Sequence, residues 1–483
     1  MRRTPAVMKK VKSVDPQRRK LLRGVASVAV AASVPGAAMS LLAQAASIGE
    51  RALSRDQVTA MLKSIFASSD PAILRLAADA YADCVLGKIR PASAPLEHDW
   101  IVPGGGYYAQ WLWDTMFVVD LLSILPGQQE TIRGAFQNYW DFQQRWNRVK
   151  PPFMHGMIAN FMAPYDAPKE RPGKEWEAFP AYSQAPLLAW GMERVYRRNH
   201  DMELLRTGVQ SLEDFHEWYW RERDVTNCGL IGVGSYSGDP QHARYETYDR
   251  EVDLDELRMT PHPGRVAGPL NGAWYGDILI PANTAYLLLS ELSLMRIATI
   301  LGDRTMAARR HARYAKGAAA MRTHMWSQQQ GCFLSVRRDT LDQIPVATVG
   351  GFMPLMARVA TAAQAATMAS TLAQPAWATP LPIPTVARTH PSYVSSEFWR
   401  GDVWPAPNYQ VASGLAAYGH RAEAARIADL TVANALKVGI SERYDSETGG
   451  PLGVRGLGMS AIVVTMMLDG LTRRYPLRLL RGA

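Results

Sequence analysis

The sequence predicts an all-α protein, an (α/α)6 toroid in which six helical hairpins close into a ring and long loops gather on one face. Helical periodicity recurs along the chain with little strand alternation, and short connections alternate with long ones. The spacing predicts helices over 55–67, 71–88, 111–125, 128–147, 182–199, 202–223, 282–301, 304–326, 359–373, 404–418, 420–438 and 459–474. Their ends carry the expected stops: Pro126-Gly127, Asn199-His200-Asp201, Gly302-Asp303 and Gly419. In 282–301, Ala285, Leu288, Leu292 and Met295 fall at helical spacing, Leu287, Leu294 and Ala298 widen the apolar face, and Glu291 intrudes on it. Segments 182–199 and 404–418 read as inner helices. Segment 304–326, with Arg309, Arg310, Arg313 and Lys316, reads as outer. The long connections 89–110, 148–181, 224–281 and 375–403 hold Trp, Tyr, Gly and acids, and are expected to wall a site.

Charge locates a leader. The chain of 483 residues carries a formal +9. Nine basic side chains (Arg2, Arg3, Lys9, Lys10, Lys12, Arg18, Arg19, Lys20, Arg23) lie in residues 1–45 against one acid, Asp15. Residues 46–483 are left near neutral, which excludes a global field for nucleic acid or anionic membrane. Arg18-Arg19 precedes an uncharged stretch, Gly24 to Leu42, and Ala43-Gln44-Ala45 follows as a small-x-small site. This resembles a bacterial Tat signal. The expectation is a cleaved peptide over 1–45, one domain over 46–483, the Tat translocon as a partner in transit, and a periplasmic or secreted product free of the membrane. The other reading is a retained anchor, for which the stretch is weakly apolar and broken by Pro35. No later segment is expected to sustain the apolar run of a membrane span.

Several chemistries lack their residues. Cys84, Cys228 and Cys332 are odd in number and far apart. The histidines form no zinc spacing, so neither metal nor cofactor is expected. Gly104-Gly105-Gly106 leads into aromatics and reads as a flexible loop, and Gly234-Ser235-Tyr236-Ser237-Gly238 has Tyr where a nucleophilic Ser would stand.

Four strings combine carboxylates with aromatics, as a neutral sugar requires: apolar ring faces stack on indoles, and hydroxyls want paired donors and acceptors. They are YYAQWLWDTMF at 107–117, Tyr182-Ser183-Gln184-Ala185-Pro186, FWRGDVWP at 398–405 and ISERYDSETGG at 440–450. Trp111, Trp113 and Asp114 open a helix, where Asp114 would also favour the first turn. Gln184 stands at another inner-helix entry. Trp399, Arg400 and Trp404 surround Gly401, which would let backbone approach a ligand; core packing is the competing role for those tryptophans.

In this order and spacing, the strings resemble the six-hairpin glycosidases of the family 63 α-glucosidase, glucosylglycerate/mannosylglycerate hydrolase and trehalase type. QWLWDT is similar to their W-x-W-D, Ser183-Gln184-Ala185-Pro186 to S-Q-P-P, FWRGDVWP to Y-W-R-G-x-x-W-P, and ERYD with Thr448-Gly449 to E-x-Y-(D)…T-G. The resemblance runs through most of 105–465. It implies an inverting hydrolase of an α-linked glucoside, mannoside or short oligosaccharide, with two carboxyl groups roughly 6.5–9.5 Å apart. Glu442 matches the general base, its ionisation favoured if Arg400 or Arg443 points inward. Trp113, Asp114, Gln184, Trp399 and Trp404 match positions that hold the non-reducing sugar, and Trp111, Arg400 and Gly401 are expected to bind substrate beside them. The family's acid lies in E-S-G-x-D-N-S-P. Here Ala243-Arg244-Tyr245-Glu246-Thr247 is similar to its lead-in, but Tyr248 replaces the glycine and the first Asp follows Glu246 by three residues instead of four. Asp249 is the expected acid, with Arg244 and Glu246 as substrate-binding neighbours; Glu251 or Asp239 takes the role if the loop is rewired. Phe398 for Tyr and Met459 near a usual Trp are further departures.

Two other classes stay open. A polysaccharide lyase or unsaturated-uronide hydrolase on the same toroid would draw on His155, His242 or His262. A non-catalytic sugar-binding protein would keep the aromatics and lose the acid.

Overall fold

The computed structural model describes residues 54–480, apart from 151, 166, 168–179, 181, 236–238, 248–251 and 263–273. The leader lies outside the described residues.

Six elements form an inner ring: Leu112–Leu122, Leu188–Asn199, Pro281–Leu301, Val349–Leu355, Pro405–Ala417 and Gly458–Leu468. Each packs on the next, and the last returns to the first. Helices Leu112–Leu122 and Pro405–Ala417 are buried almost all round, which is why their apolar residues show no single face. Pro281 and Pro405 occupy first-turn positions, where a missing N–H costs nothing. Outside stand Pro71–Asp79 with its continuation Ala80–Val85, then Gln129–Val149, Met202–Glu222, Arg304–Ala320, Ala362–Leu372 and Arg421–Val438. Aspartates cap three of these: Asp70 accepts from the Ala72 N–H, Asp201 from Leu204 and Asp303 from Met306. The architecture is the (α/α)6 toroid expected.

Four local readings change. Helix Arg55–Ile65, counted among the hairpins, lies beside the first outer helix and outside the ring. The missing inner element is Val349–Leu355, a 3-10 segment of sequence VGGFMPL. Its glycines and Pro354 hide it from helical periodicity, yet every residue in it is buried. Segment 304–326 does supply an outer helix, but Arg310, one of the arginines that marked it, is 1% exposed and donates to Glu291 at 3.4 Å and also to Glu217. Glu291 therefore sits on an apolar face because it is paired there, and it also accepts from Trp220 Nε1 at 2.6 Å. Finally, Pro281–Leu301 is long and apolar enough to cross a membrane, contrary to expectation, but it is an inner helix of the ring.

The long connections fold into small antiparallel pieces. Strand Trp274–Leu279 lies between Gly232–Ser235 and Val336–Arg337, and also pairs with Met259–Pro261. Ile89–Arg90 pairs with Trp100–Ile101, and Gln110–Trp111 with Phe161–Met162. The three cysteines are free thiols.

Candidate active site

A pocket of about 120 Å³ opens where the entries to the inner elements converge. Its lining is Pro103, Tyr107, Trp111, Trp113, Asp114, Gln184, Thr247, Phe398, Trp399, Trp404, Glu442, Leu457 and Met459. Carboxylates, indoles and an amide dominate it; no Lys, Arg or His stands among these described residues. A larger cavity, about 650 Å³, lies on the outer wall between Arg55, Arg75 and Arg455. Its two carboxylates, Asp79 and Asp83, are both engaged by Arg55 and no aromatic ring lines it, so it lacks the chemistry of a sugar site.

Glu442 is placed by a hairpin. Helix Arg421–Val438 stops at Gly439, and strand Ser441–Tyr444 then pairs with Pro451–Arg455. The carboxylate is 4% exposed. It accepts from the Tyr107 hydroxyl at 2.9 Å and from the Val454 N–H at 2.9 Å. Gly453 leaves room for it: a Cβ there would stand 2.1 Å from Glu442 Oε2, at a backbone φ of +68°. Tyr107 comes from the glycine-rich loop, which is a tight turn closed by Tyr107 N–H donating to Gly104 O at 3.2 Å. Neither expected arginine reaches Glu442. Arg400 grips Asp255 at 2.6 and 2.8 Å, and Arg443 donates to Asp402 at 3.3 Å.

Asp114 stands in the first turn of Leu112–Leu122. Burial, and secondarily the charge of Glu442, push its carboxyl up to about 7. The folded state therefore holds a proton here that the unfolded chain releases near pH 4, so this group's contribution to stability falls as pH rises from about 4 to about 7. We expect Asp114→Asn to remove that loss. Urea titrations should show the variant gaining on the wild type by about 2–4 kcal/mol between pH 4 and 8, while sugar binding weakens. A constant stability difference across that range would contradict the assignment.

Gln184 Oε1 accepts the Trp113 N–H at 3.0 Å, which satisfies a helix-entry donor and leaves the Nε2 hydrogens for a ligand. Trp399 and Trp404 stack at 4.7 Å with 14° between their planes, and Phe398 meets Trp404 edge-on at 5.3 Å. Trp111 packs on Phe161 at 4.9 Å.

The structure brings Trp111, Trp113, Asp114, Gln184, Trp399, Trp404 and Glu442 together, and separates others from them. Glu246 is fully buried, accepting from Arg223 at 2.6 Å twice, from Ser183 N–H at 2.8 Å and from Gly234 N–H at 2.7 Å. With its acceptor positions filled it supports the Ser183-Gln184 segment rather than a sugar. Arg244 is buried and donates to Leu254 O at 2.6 Å. Arg400, held by Asp255, and Gly401 are not in the lining. Gly401 is required by its own loop, because a Cβ would stand 2.7 Å from Val394 O. Asp249 and Glu251 lie outside the described residues; Asp239 accepts from the Gln241 N–H and does not line the pocket. Sequence reasoning missed Tyr107 and Asp402, although both stand inside strings it singled out.

A ring of helical hairpins with an acidic, indole-lined pocket at one end defines a carbohydrate-active (α/α)6 protein. Residues 107–460 match the mannosylglycerate hydrolase MGH1-like glycoside hydrolase domain. The chain belongs to that family, and is a glycoside hydrolase of the family 63 type. Among its relatives, the mannosylglycerate hydrolase of Thermus thermophilus is 24% identical over 74% of this chain and 94% of its own length. Mannosylglycerate hydrolase MGH1 of Selaginella moellendorffii is 24% identical over 72% and 78%. A crystal structure of a Thermus thermophilus mannosylglycerate hydrolase with Tris and D-glycerate shares the fold at a TM-score of 0.66, with 20% identity over 80% of this chain and 99% of that one.

Proposed function

We propose that this protein is an exported, inverting α-glycosidase that hydrolyses a mannosyl- or glucosyl-glycerate, with Glu442 as general base. The observation that carries the reading is the Glu442 carboxylate itself: it is held by a hydroxyl and a backbone N–H, free of any arginine, in a pocket shared with Asp114 and an indole shelf. A base so placed can take a proton from water while the shelf holds the sugar face. Asp249 is the proposed acid; Thr247, two residues earlier in the chain, is part of the pocket lining. The relatives named mannosylglycerate hydrolase suggest the substrate, and the twin-arginine leader suggests export.

The test is proton NMR during cleavage of α-mannosylglycerate. β-Mannose should appear first, and the Asp249→Asn protein should give no signal while still binding mannose. Activity should accumulate in the exported fraction and leave it when Arg18 and Arg19 become lysine. First-formed α-mannose would overturn inversion; full activity of the Asp249→Asn protein would overturn the acid.

A further inference from the structure

Asp402 stands between Gly401 and Val403 in the FWRGDVWP string, and its carboxylate is completely buried and fully engaged. Oδ1 accepts from the Trp399 backbone N–H at 3.1 Å and from the Thr385 hydroxyl at 2.9 Å. Oδ2 accepts from Trp404 Nε1 at 3.0 Å and from Arg443 Nη1 at 3.3 Å. One side chain thus holds one indole of the shelf by its backbone and the other by its ring. The first hold is needed because Trp399 adopts a left-handed backbone, φ 55°, that a bulky residue avoids.

The same carboxylate reaches the strand of the proposed base. Arg443 follows Glu442 directly, and its guanidinium also covers the Phe398 ring at 5.2 Å. Beside this contact, Val403 and Tyr444 exchange backbone hydrogen bonds at 2.8 and 2.9 Å. Shelf and base stand at the two ends of the hairpin formed by Pro405–Ala417 and Arg421–Val438, and the Asp402 side chain is fastened at both ends.

We infer that Asp402 is a positioning residue for glycoside hydrolysis, fixing the Trp399–Trp404 shelf in register with the Glu442 carboxylate. It does not line the pocket. The inference rests on the proposed reaction for its kinetic consequence and on the geometry alone for its optical one.

Asp402→Asn preserves shape but replaces one acceptor oxygen with an NH2, so whichever way the amide turns at least one N–H donor of the shelf or of Arg443 loses its acceptor. The folded variant is expected to show altered near-ultraviolet circular dichroism and tryptophan emission without any sugar present. For α-mannosylglycerate, kcat/KM should fall about tenfold, mostly through a higher KM. Trp404→Phe, which deletes only the ring donor, should move KM in the same direction by less. Adding Asp402→Asn to it should cost less than in the wild type, because the two share one contact. A role confined to stability would lower Tm and leave KM and the spectra unchanged; that result overturns the inference. If Asp402→Asn does not fold, Thr385→Val carries the same test with the same expected and overturning results. Should the wild type fail to cleave mannosyl- or glucosyl-glycerate, the substrate reading fails, while the spectra still decide the shelf.

Discussion

Glu442→Gln should abolish hydrolysis while the protein stays folded and keeps a sugar in its pocket. A positioned base contributes about 10²–10⁴ in rate, so kcat should fall by about 10³ or more. The amide has nearly the same size, and both contacts can persist: its oxygen accepts the Val454 N–H while its NH2 donates to the Tyr107 hydroxyl, which turns from donor to acceptor. Rate and affinity are read separately: single-turnover kinetics read the chemistry, and tryptophan quenching by mannose reads the pocket. A folded Glu442→Gln protein that retains a tenth of wild-type kcat would remove Glu442 from the reaction.

The largest stability effect is expected at Glu246. Its side chain and that of Arg223 are 0% and 2% exposed, and they meet through two hydrogen bonds of 2.6 Å. Glu246→Gln removes the carboxylate hydrogen-bonded to this interior arginine, a loss of about 3–5 kcal/mol in comparable buried pairs. The consequence extends into the pocket, because Glu246 also accepts the Ser183 N–H next to Gln184, and Asn283 donates to its backbone oxygen at 3.1 Å. Urea denaturation should give the stability loss and a mannose titration the weakened site. A loss below about 1 kcal/mol would show that this ion pair is not a structural strut.

These two acids illustrate how far the sequence was legible. Glu442 and Glu246 both stand in strings of site-like composition, and composition shows charge without showing its partner. The partner of Glu246 lies 23 residues away, and that of Arg400 lies 145 residues away at Asp255. Both had been expected on the sugar; both are buried or bridging elsewhere. The helices were easier, because capping aspartates, Gly302 and the first-turn prolines are local signals. Val349–Leu355 escaped because its place in the ring is set by burial among neighbours, not by propensity. Asp402 escaped because the string shows its charge without its partners, and only the folded loop reveals that four donors meet there.

The contact between Tyr107 and Glu442 spans 335 residues of chain. It joins the loop before the first inner element to the strand before the last one, across the seam where the circle shuts. The tyrosine anchor and the carboxylate of the proposed base come from opposite ends of the ring, so their contact exists only once the circle has closed. Such long-range pairing is slow to form. On the proposed reaction, catalytic competence is expected to come late in folding, and a turnover assay would report how many molecules have completed the circle.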